Sequence, residues 1–296
     1  MEAKDTPFLT NYTLNLRGKL LDLSQPRVMG IINVTPDSFY AGSRLGSETE
    51  LLRQAERMLA EGADLLDVGG YSTRPGAADV LPEEEQERVC RAIGSLVRTF
   101  PEAHISVDTF RAGVAAAAVA EGACLINDIG GGELDADMFT TVARLQVPYI
   151  LMHMRGTPQT MAGLNQYEDL LKEIIDYFAE RLNKLRALGV KDIIADPGFG
   201  FAKNIDQNYL LLQNLRLLTV LNVPLLVGIS RKSLIWKKLG ITPEEAGNGS
   251  TVLNTLALTE GAHILRVHDV KQAVEAVRLW KSFRNNSKKA AFDTGF

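Results

Sequence analysis

Polar side chains stand at the ends of apolar runs throughout this sequence: Asn33, Asp67, Asp108, Asn127, Met152-His153, Asp196, Ser230-Arg231-Lys232 and Arg266-Val267-His268. Asp67, Asp108 and Asp196, with Asn33 and Asn127, offer oxygen acceptors to a ligand rich in N–H donors. Lys232, Arg266 and His268 bind negative charge or carbonyl oxygen. A ligand with both kinds of face is implied. Any one of these residues alone reads equally well as a strand stop or a helix cap, and Asn33 before Thr-Pro-Asp also reads as a turn starter. Capping accounts for neither Lys232 nor the pair Arg266 and His268, which alternate on an extended segment and so point the same way. The chain has no His-x-His or cysteine cluster for zinc and no Gly-x-x-x-x-Gly-Lys-Ser/Thr phosphate loop.

The elements that position these residues follow from periodicity. Eight short runs rich in Val, Ile and Leu are expected to be strands: Val28 to Asn33, Asp64 to Val68, His104 to Asp108, Cys124 to Asn127, Val147 to Met152, Asp192 to Asp196, Pro224 to Ile229 and His263 to Val267. Helical spacing fills 48–61, 83–99, 111–121, 133–145, 167–188, 207–221, 250–260 and 270–284 between and after them. Gly62, Gly122, Gly189 and Gly261 mark helix ends, and Pro82 and Pro243 mark starts. Eight strand-helix units without a linker favour a single (β/α)8 TIM barrel over residues 28–284, whose strand ends converge on one C-terminal mouth. An open doubly wound sheet is the rival, but no Gly-x-Gly-x-x-Gly follows the first strand. Residues 1–27 form an N-terminal extension with a small hairpin around Arg17-Gly18, placed to cover the N-terminal mouth, and residues 285–296 read as a frayed C-terminal tail.

The 296 residues are 46% hydrophobic and 23% charged, the balance of a globular protein that buries a substantial core. A net charge of -4 argues against nucleic-acid binding through a global field. Cys90 and Cys124 are too few for a disulfide framework, no export or membrane segment is visible, and a reducing cytoplasmic setting is expected.

Longer motifs surround the strand ends. Met29-Gly30-Ile31-Ile32-Asn33-Val34-Thr35-Pro36-Asp37-Ser38-Phe39, Asp67-Val68-Gly69-Gly70-Tyr71-Ser72-Thr73-Arg74-Pro75-Gly76 and Asp196-Pro197-Gly198-Phe199-Gly200-Phe201 resemble the signatures of the dihydropteroate synthase family. Leu151-Met152-His153-Met154, Gly228-Ile229-Ser230-Arg231-Lys232-Ser233 and Arg266-Val267-His268-Asp269-Val270 extend the resemblance from about residue 28 to about residue 284. Tyr71 departs from it, standing where the family often carries an acidic or amide residue.

The resemblance implies a barrel enzyme of folate synthesis that joins 6-hydroxymethyl-7,8-dihydropterin diphosphate to 4-aminobenzoate and releases diphosphate. Asp108, Lys232, Arg266 and His268 would carry the chemistry. The pterin diphosphate would contact Asp67, Thr73, Asp108, Asn127, Met152, Asp196, Lys232, Arg266 and His268. Aminobenzoate would meet Phe39, Thr73, Arg74, Pro75, Phe201, Lys232 and Ser233, although Phe201 by itself reads as core and Phe39 as loop surface. Mg2+ would bind the Asn33 carboxamide oxygen, since this cation is usually held by few protein ligands together with phosphates and water. A homodimer is expected from the family, with Val274, Val277 and Trp280 as interface candidates that equally suit packing against the barrel. A corrinoid-dependent pterin methyltransferase on a similar barrel and a noncatalytic pterin-binding homologue are the alternatives. The Thr73-Arg74-Pro75 and Ser230-Arg231-Lys232 phrases favour the synthase over the first, and the full set of strand-end residues speaks against the second.

Overall fold

The computed structural model describes residues 12–34, 44–71 and 79–293. Its first element is the expected hairpin, β1 (Thr13–Leu16) against β2 (Lys19–Asp22), with Thr13 opposite Asp22. Arg17 and Gly18 turn it with φ of 55° and 89°, the paired left-handed geometry of a type I′ turn. The Asn15 side chain accepts a hydrogen bond from the Gly18 N–H at 2.7 Å and holds the turn.

Eight parallel strands follow: β3 (Arg27–Asn33), β4 (Leu65–Gly69), β5 (Ile105–Asp108), β6 (Leu125–Asp128), β7 (Tyr149–Met152), β8 (Ile193–Asp196), β9 (Leu226–Val227) and β10 (Ile264–Val267). They pair in the order β8-β7-β6-β5-β4-β3-β10-β9. The two outer strands of this row meet through a single parallel bridge between Ala195 and Leu225, which closes the barrel. The surrounding helices are α1 (Arg44–Glu61), α2 (Pro82–Thr99), α3 (Ala112–Glu121), α4 (Met138–Leu145), α5 (Leu170–Ala187), α6 (Ile205–Gln213), α7 (Ser233–Leu239), α8 (Gly247–Thr259) and α9 (Val270–Asp293). This is the (β/α)8 architecture that the alternation implies.

The two-residue period of a strand sorts the side chains. Leu66, Val68, Ile105, Val107, Ile126, Leu151, Ile193 and Leu265 face outward and pack with the helices. Met29, Leu65, Leu125, Ile150, Ile194, Leu226 and Ile264 face inward and form a floor, sealed from below by Leu14, Leu16, Leu21 and Leu23 of the hairpin segment. Two positions further along the same strands stand Asp67, Asn127, Met152, Asp196 and Arg266. The site residues therefore rest one rung above an apolar floor.

Several elements differ from expectation. The helix expected over 133–145 starts only at Met138, because the Asp128 carboxylate accepts N–H bonds from Gly130 (2.7 Å) and Gly132 (2.8 Å) and winds this stretch into a turn. The segment expected as one helix over 207–221 divides into α6 and a 3-10 helix over Leu215–Leu221, with Asn214 between them bonding back to the Leu210 carbonyl at 2.9 Å. The short α7 was not expected; it ends at Gly240, whose φ is 68°. Finally, α9 continues to Asp293 through the stretch read as a tail, where Lys288, Lys289, Ala290 and Ala291 favour helix.

Candidate active site

Arg266 is the centre of the mouth. Its Nε donates to Asp67 Oδ2 at 2.6 Å and its Nη2 donates to Asp108 Oδ2, so one guanidinium joins β10 to β4 and β5. Asn127 Nδ2 adds a second donor to the same Asp67 oxygen at 2.9 Å. The other oxygens, Asp67 Oδ1 and Asn127 Oδ1, are buried without a hydrogen-bond partner. Buried acceptors of this kind carry a desolvation cost that a ligand's N–H groups would relieve. Burial pushes the Asp108 carboxyl up to about 7, with Asp67, Glu85 and Asp128 adding to the rise and Arg266 opposing it. Burial works against the charge of Arg266 as well, but Asp67 and Asp108 outweigh it and hold the guanidinium protonated. The acids and Arg266, assigned to different groups of a ligand by their chemistry, are partners.

Asp196 and Lys232 form the second half. Asp196 Oδ1 accepts the Gly198 N–H at 2.8 Å, and burial raises its pKa against the pull of Lys232. Lys232 Nζ donates to the Phe199 carbonyl at 2.5 Å and lies 4.6 Å from the centre of the Phe201 ring. Burial lowers this lysine to about 8, with Asp196 holding it up. Phe201 packs with Ile129, Met152, Met154 and Met161, an apolar wall beside the charged groups. Ser233 follows Lys232 as the first residue of α7.

Lys232 is aimed by a neighbour that the sequence reading did not assign. Arg231 makes a bidentate pair with Asp269, at 2.9 Å and 2.7 Å, and has a left-handed φ of 55°. The pair fastens the loop after β9 to the loop after β10. In the same junction Ser230 Oγ lies 3.1 Å from His268 Nδ1 and accepts the His268 backbone N–H at 3.1 Å. The adjacency of Arg231 to Lys232 and of Asp269 to His268 was the available signal. Asn33 ends the inward face of β3 with an exposed side chain, and β3 pairs with β10 in the register Gly30 to Val267.

A polar cluster flanks Asp108. The buried Glu85 accepts from Thr109 Oγ1 at 2.6 Å and from Arg111 Nη1 at 2.5 Å, and burial raises its pKa. Arg111 lies 5.4 Å from the Tyr71 ring centre and 5.1 Å from that of Phe110, while Tyr71 donates to Asp79 at 3.1 Å. Tyr71, the departure from the motif, is thus one of two aromatic partners of Arg111, with Phe110. Phe39, Thr73, Arg74 and Pro75 lie outside the described residues. Val277 and Trp280 are buried in the outer core and Val274 packs against it, so these three face the barrel.

The pattern of the family described as Pterin binding enzyme matches residues 29–268. The dihydropteroate synthase of Escherichia coli strain K12 is 44% identical over 269 residues, covering 89% of this chain and 93% of that protein. The crystal structure of the Yersinia pestis dihydropteroate synthase in a sulfonamide drug complex is similar with a TM-score of 0.87 at 42% identity, covering 93% of this chain and 100% of the other. The Xanthomonas albilineans dihydropteroate synthase with 4-aminobenzoic acid gives 0.85 at 41% identity, covering 93% and 99%. With fold, strand-end residues and relatives in agreement, the chain belongs to the pterin binding enzymes and, within them, to the dihydropteroate synthases.

Proposed function

We propose that this mouth joins 6-hydroxymethyl-7,8-dihydropterin diphosphate to 4-aminobenzoate, giving 7,8-dihydropteroate and diphosphate. The observation that carries the reading is the meeting of buried acceptors with half-buried cations at one barrel mouth. Asp67, Asn127 and Asp196 are buried there beside Asp108, Lys232 and Arg266. The 2-amino group and ring N–H of a pterin are donors for Asp108, Asp196 and the unpaired Asn127 oxygen, and Lys232 reaches its carbonyl oxygen. Such donors favour the ionised carboxylates that burial otherwise disfavours. Met152 and Phe201 line the apolar side, with Phe201, Lys232 and Ser233 toward the aminobenzoate.

The amine of aminobenzoate is a weak nucleophile, because its lone pair is delocalised into the ring. The bond from the exocyclic pterin carbon to the diphosphate oxygen therefore breaks first, leaving a pterin-methyl cation; the amine nitrogen then bonds to that carbon and gives up a proton. Asp108 and Asp196 face the charge that develops on the ring, and Arg266 and His268 bind the departing diphosphate. Asn33 fits a hard divalent cation as a single exposed oxygen ligand, and among the described residues no group of three His, Cys, Asp or Glu offers a cage of its own. Mg2+ bound there would supply neutralising charge to the diphosphate. The wall of Ile129, Met152, Met154 and Phe201 keeps water from the cation.

No helix among the described residues is long and apolar enough to cross a membrane. The proposed setting is cytoplasmic. A homodimer is proposed on the exposure of Val252 (51%), Leu256 (49%) and Leu279 (72%) on the neighbouring helices α8 and α9, and sedimentation at micromolar concentration tests it. The function itself is tested by a coupled assay of diphosphate release. Sustained release over many turnovers should require both substrates and Mg2+; sustained release at the same rate with aminobenzoate omitted would sink the proposal.

A further inference from the structure

The loop after β8 is shaped by three left-handed residues, Gly198 (φ 70°), Gly200 (φ 80°) and Ala202 (φ 49°). Its carbonyls consequently alternate between two lysines. The Phe199 carbonyl faces Lys232, as described, while the carbonyls of Gly198 and Phe201 turn the other way and accept from Lys203 Nζ at 3.1 Å and 3.0 Å. The third partner of Lys203 is His153 Nδ1, at 2.9 Å, on the neighbouring loop after β7. Burial holds the His153 ring well below its usual pKa, so the ring is neutral, and in the tautomer protonated at Nε2 its Nδ1 accepts from the Lys203 ammonium. Lys203 is itself only 9% exposed, and three acceptors match the three N–H bonds of an ammonium group. Burial pulls Lys203 down to about 7, with Asp196 opposing.

We propose that Lys203 is a positioning residue for the reaction: by gripping the Gly198 and Phe201 carbonyls against His153, it turns the Phe199 carbonyl and the Phe201 ring toward Lys232. It has no place among the groups assigned to substrate. The inference rests on the reading that Phe201 faces the aminobenzoate. Loss of the grip frees the segment carrying Phe201, whereas Asp196 remains held on its strand by the His153 N–H, at 2.9 Å from the Asp196 carbonyl. The aryl side should therefore suffer more than the pterin side.

The test measures both KM values, kcat and thermal midpoint for Lys203→Met, Lys203→Arg, Phe201→Leu and the double variant of Lys203→Met with Phe201→Leu. Lys203→Met should raise the KM for aminobenzoate about tenfold, equivalent to about 1.4 kcal/mol, and leave that for the pterin diphosphate within about twofold. Lys203→Arg should recover part of the loss. In the Phe201→Leu background the lysine substitution should add less than about twofold, because both changes act through one ring. An unchanged aminobenzoate KM, equal rises in both KM values, or full additivity would overturn the inference. Phe201→Leu alone checks the underlying reading: if it leaves the aminobenzoate KM unchanged, the placement of that substrate fails and the inference goes with it. If it raises that KM and Lys203→Met does not, the placement stands and only the role of Lys203 is lost. Should Lys203→Met not fold, His153→Leu removes one of the three acceptors that hold Lys203 and is judged by the same criteria.

Discussion

Arg266 and Asp67, 199 residues apart in the chain, are joined by a 2.6 Å hydrogen bond across the barrel mouth, and the Asp67 side chain is fully buried. The arginine proposed to bind diphosphate is thus held by the acids proposed to flank the pterin. Removing the carboxylate would leave a half-buried guanidinium short of a partner, which is costly. Asp67→Ala should lower the thermal midpoint and weaken pterin diphosphate binding together, as calorimetry and titration would show. A variant that loses neither would separate the two residues functionally.

Asp108 is the carboxylate to test for catalysis. Asp108→Ala should lower kcat by about 100-fold or more, by analogy with the loss of one preorganised electrostatic group. Diphosphate release under saturating substrates reads this directly, and full turnover in the variant would end the assignment.

The pH profile follows from Lys232 and Asp108. Burial brings Lys232 down to about 8, so its ammonium is lost as pH rises through that value, and kcat/KM should fall on the alkaline side. Asp108 lies near 7, so protonation should cut activity on the acid side as pH drops below it. Lys232→Arg keeps the positive charge across this range and should abolish the alkaline limb while preserving the acid one. An alkaline limb that persists near 8 in that variant belongs to another group.

Asp269 offers a test of how the loops after β9 and β10 are aligned. Asp269→Asn breaks the bidentate pair with Arg231, and charged hydrogen bonds of this kind contribute about 1.5–3 kcal/mol. The KM for pterin diphosphate should rise by about tenfold or more on that scale, because Lys232 and His268 lose their common brace. A normal KM would assign the pair to stability alone.

The floor beneath the site gives a contrasting expectation. Leu16 is 2% exposed and packs under the barrel, so Leu16→Ala should destabilise by about 2–5 kcal/mol, measured by urea unfolding. Both KM values in the folded fraction should stay near the parent values.

The barrel was legible because Val28 to Asn33, Asp64 to Val68 and the later runs carry a strong apolar signal that local chemistry does not disturb. The strand-end residues were legible for the same reason: once the strand limits are known, Asp67, Asn127, Asp196 and Arg266 fall on the inward face by parity. What stayed hidden depends on contacts between distant segments. Pairing of Arg266 with Asp67 is set by the stagger of β10 against β3 and β4, and the grip of Lys203 on His153 by the left-handed turn that precedes it. The seven residues of α7 are too few for a periodic signal.

The single bridge that closes the barrel also has a dynamic meaning. Between β8 and β9 only Ala195 and Leu225 pair, whereas every other neighbouring pair of strands shares at least two rungs. Local opening is easiest where backbone pairing is sparsest, so amide exchange should begin at this seam. Asp196 extends from one lip and Lys232 follows the other. A pterin held by both would act as a clasp, and its binding would slow exchange at the Ala195 amide without any contact to the Ala195 side chain.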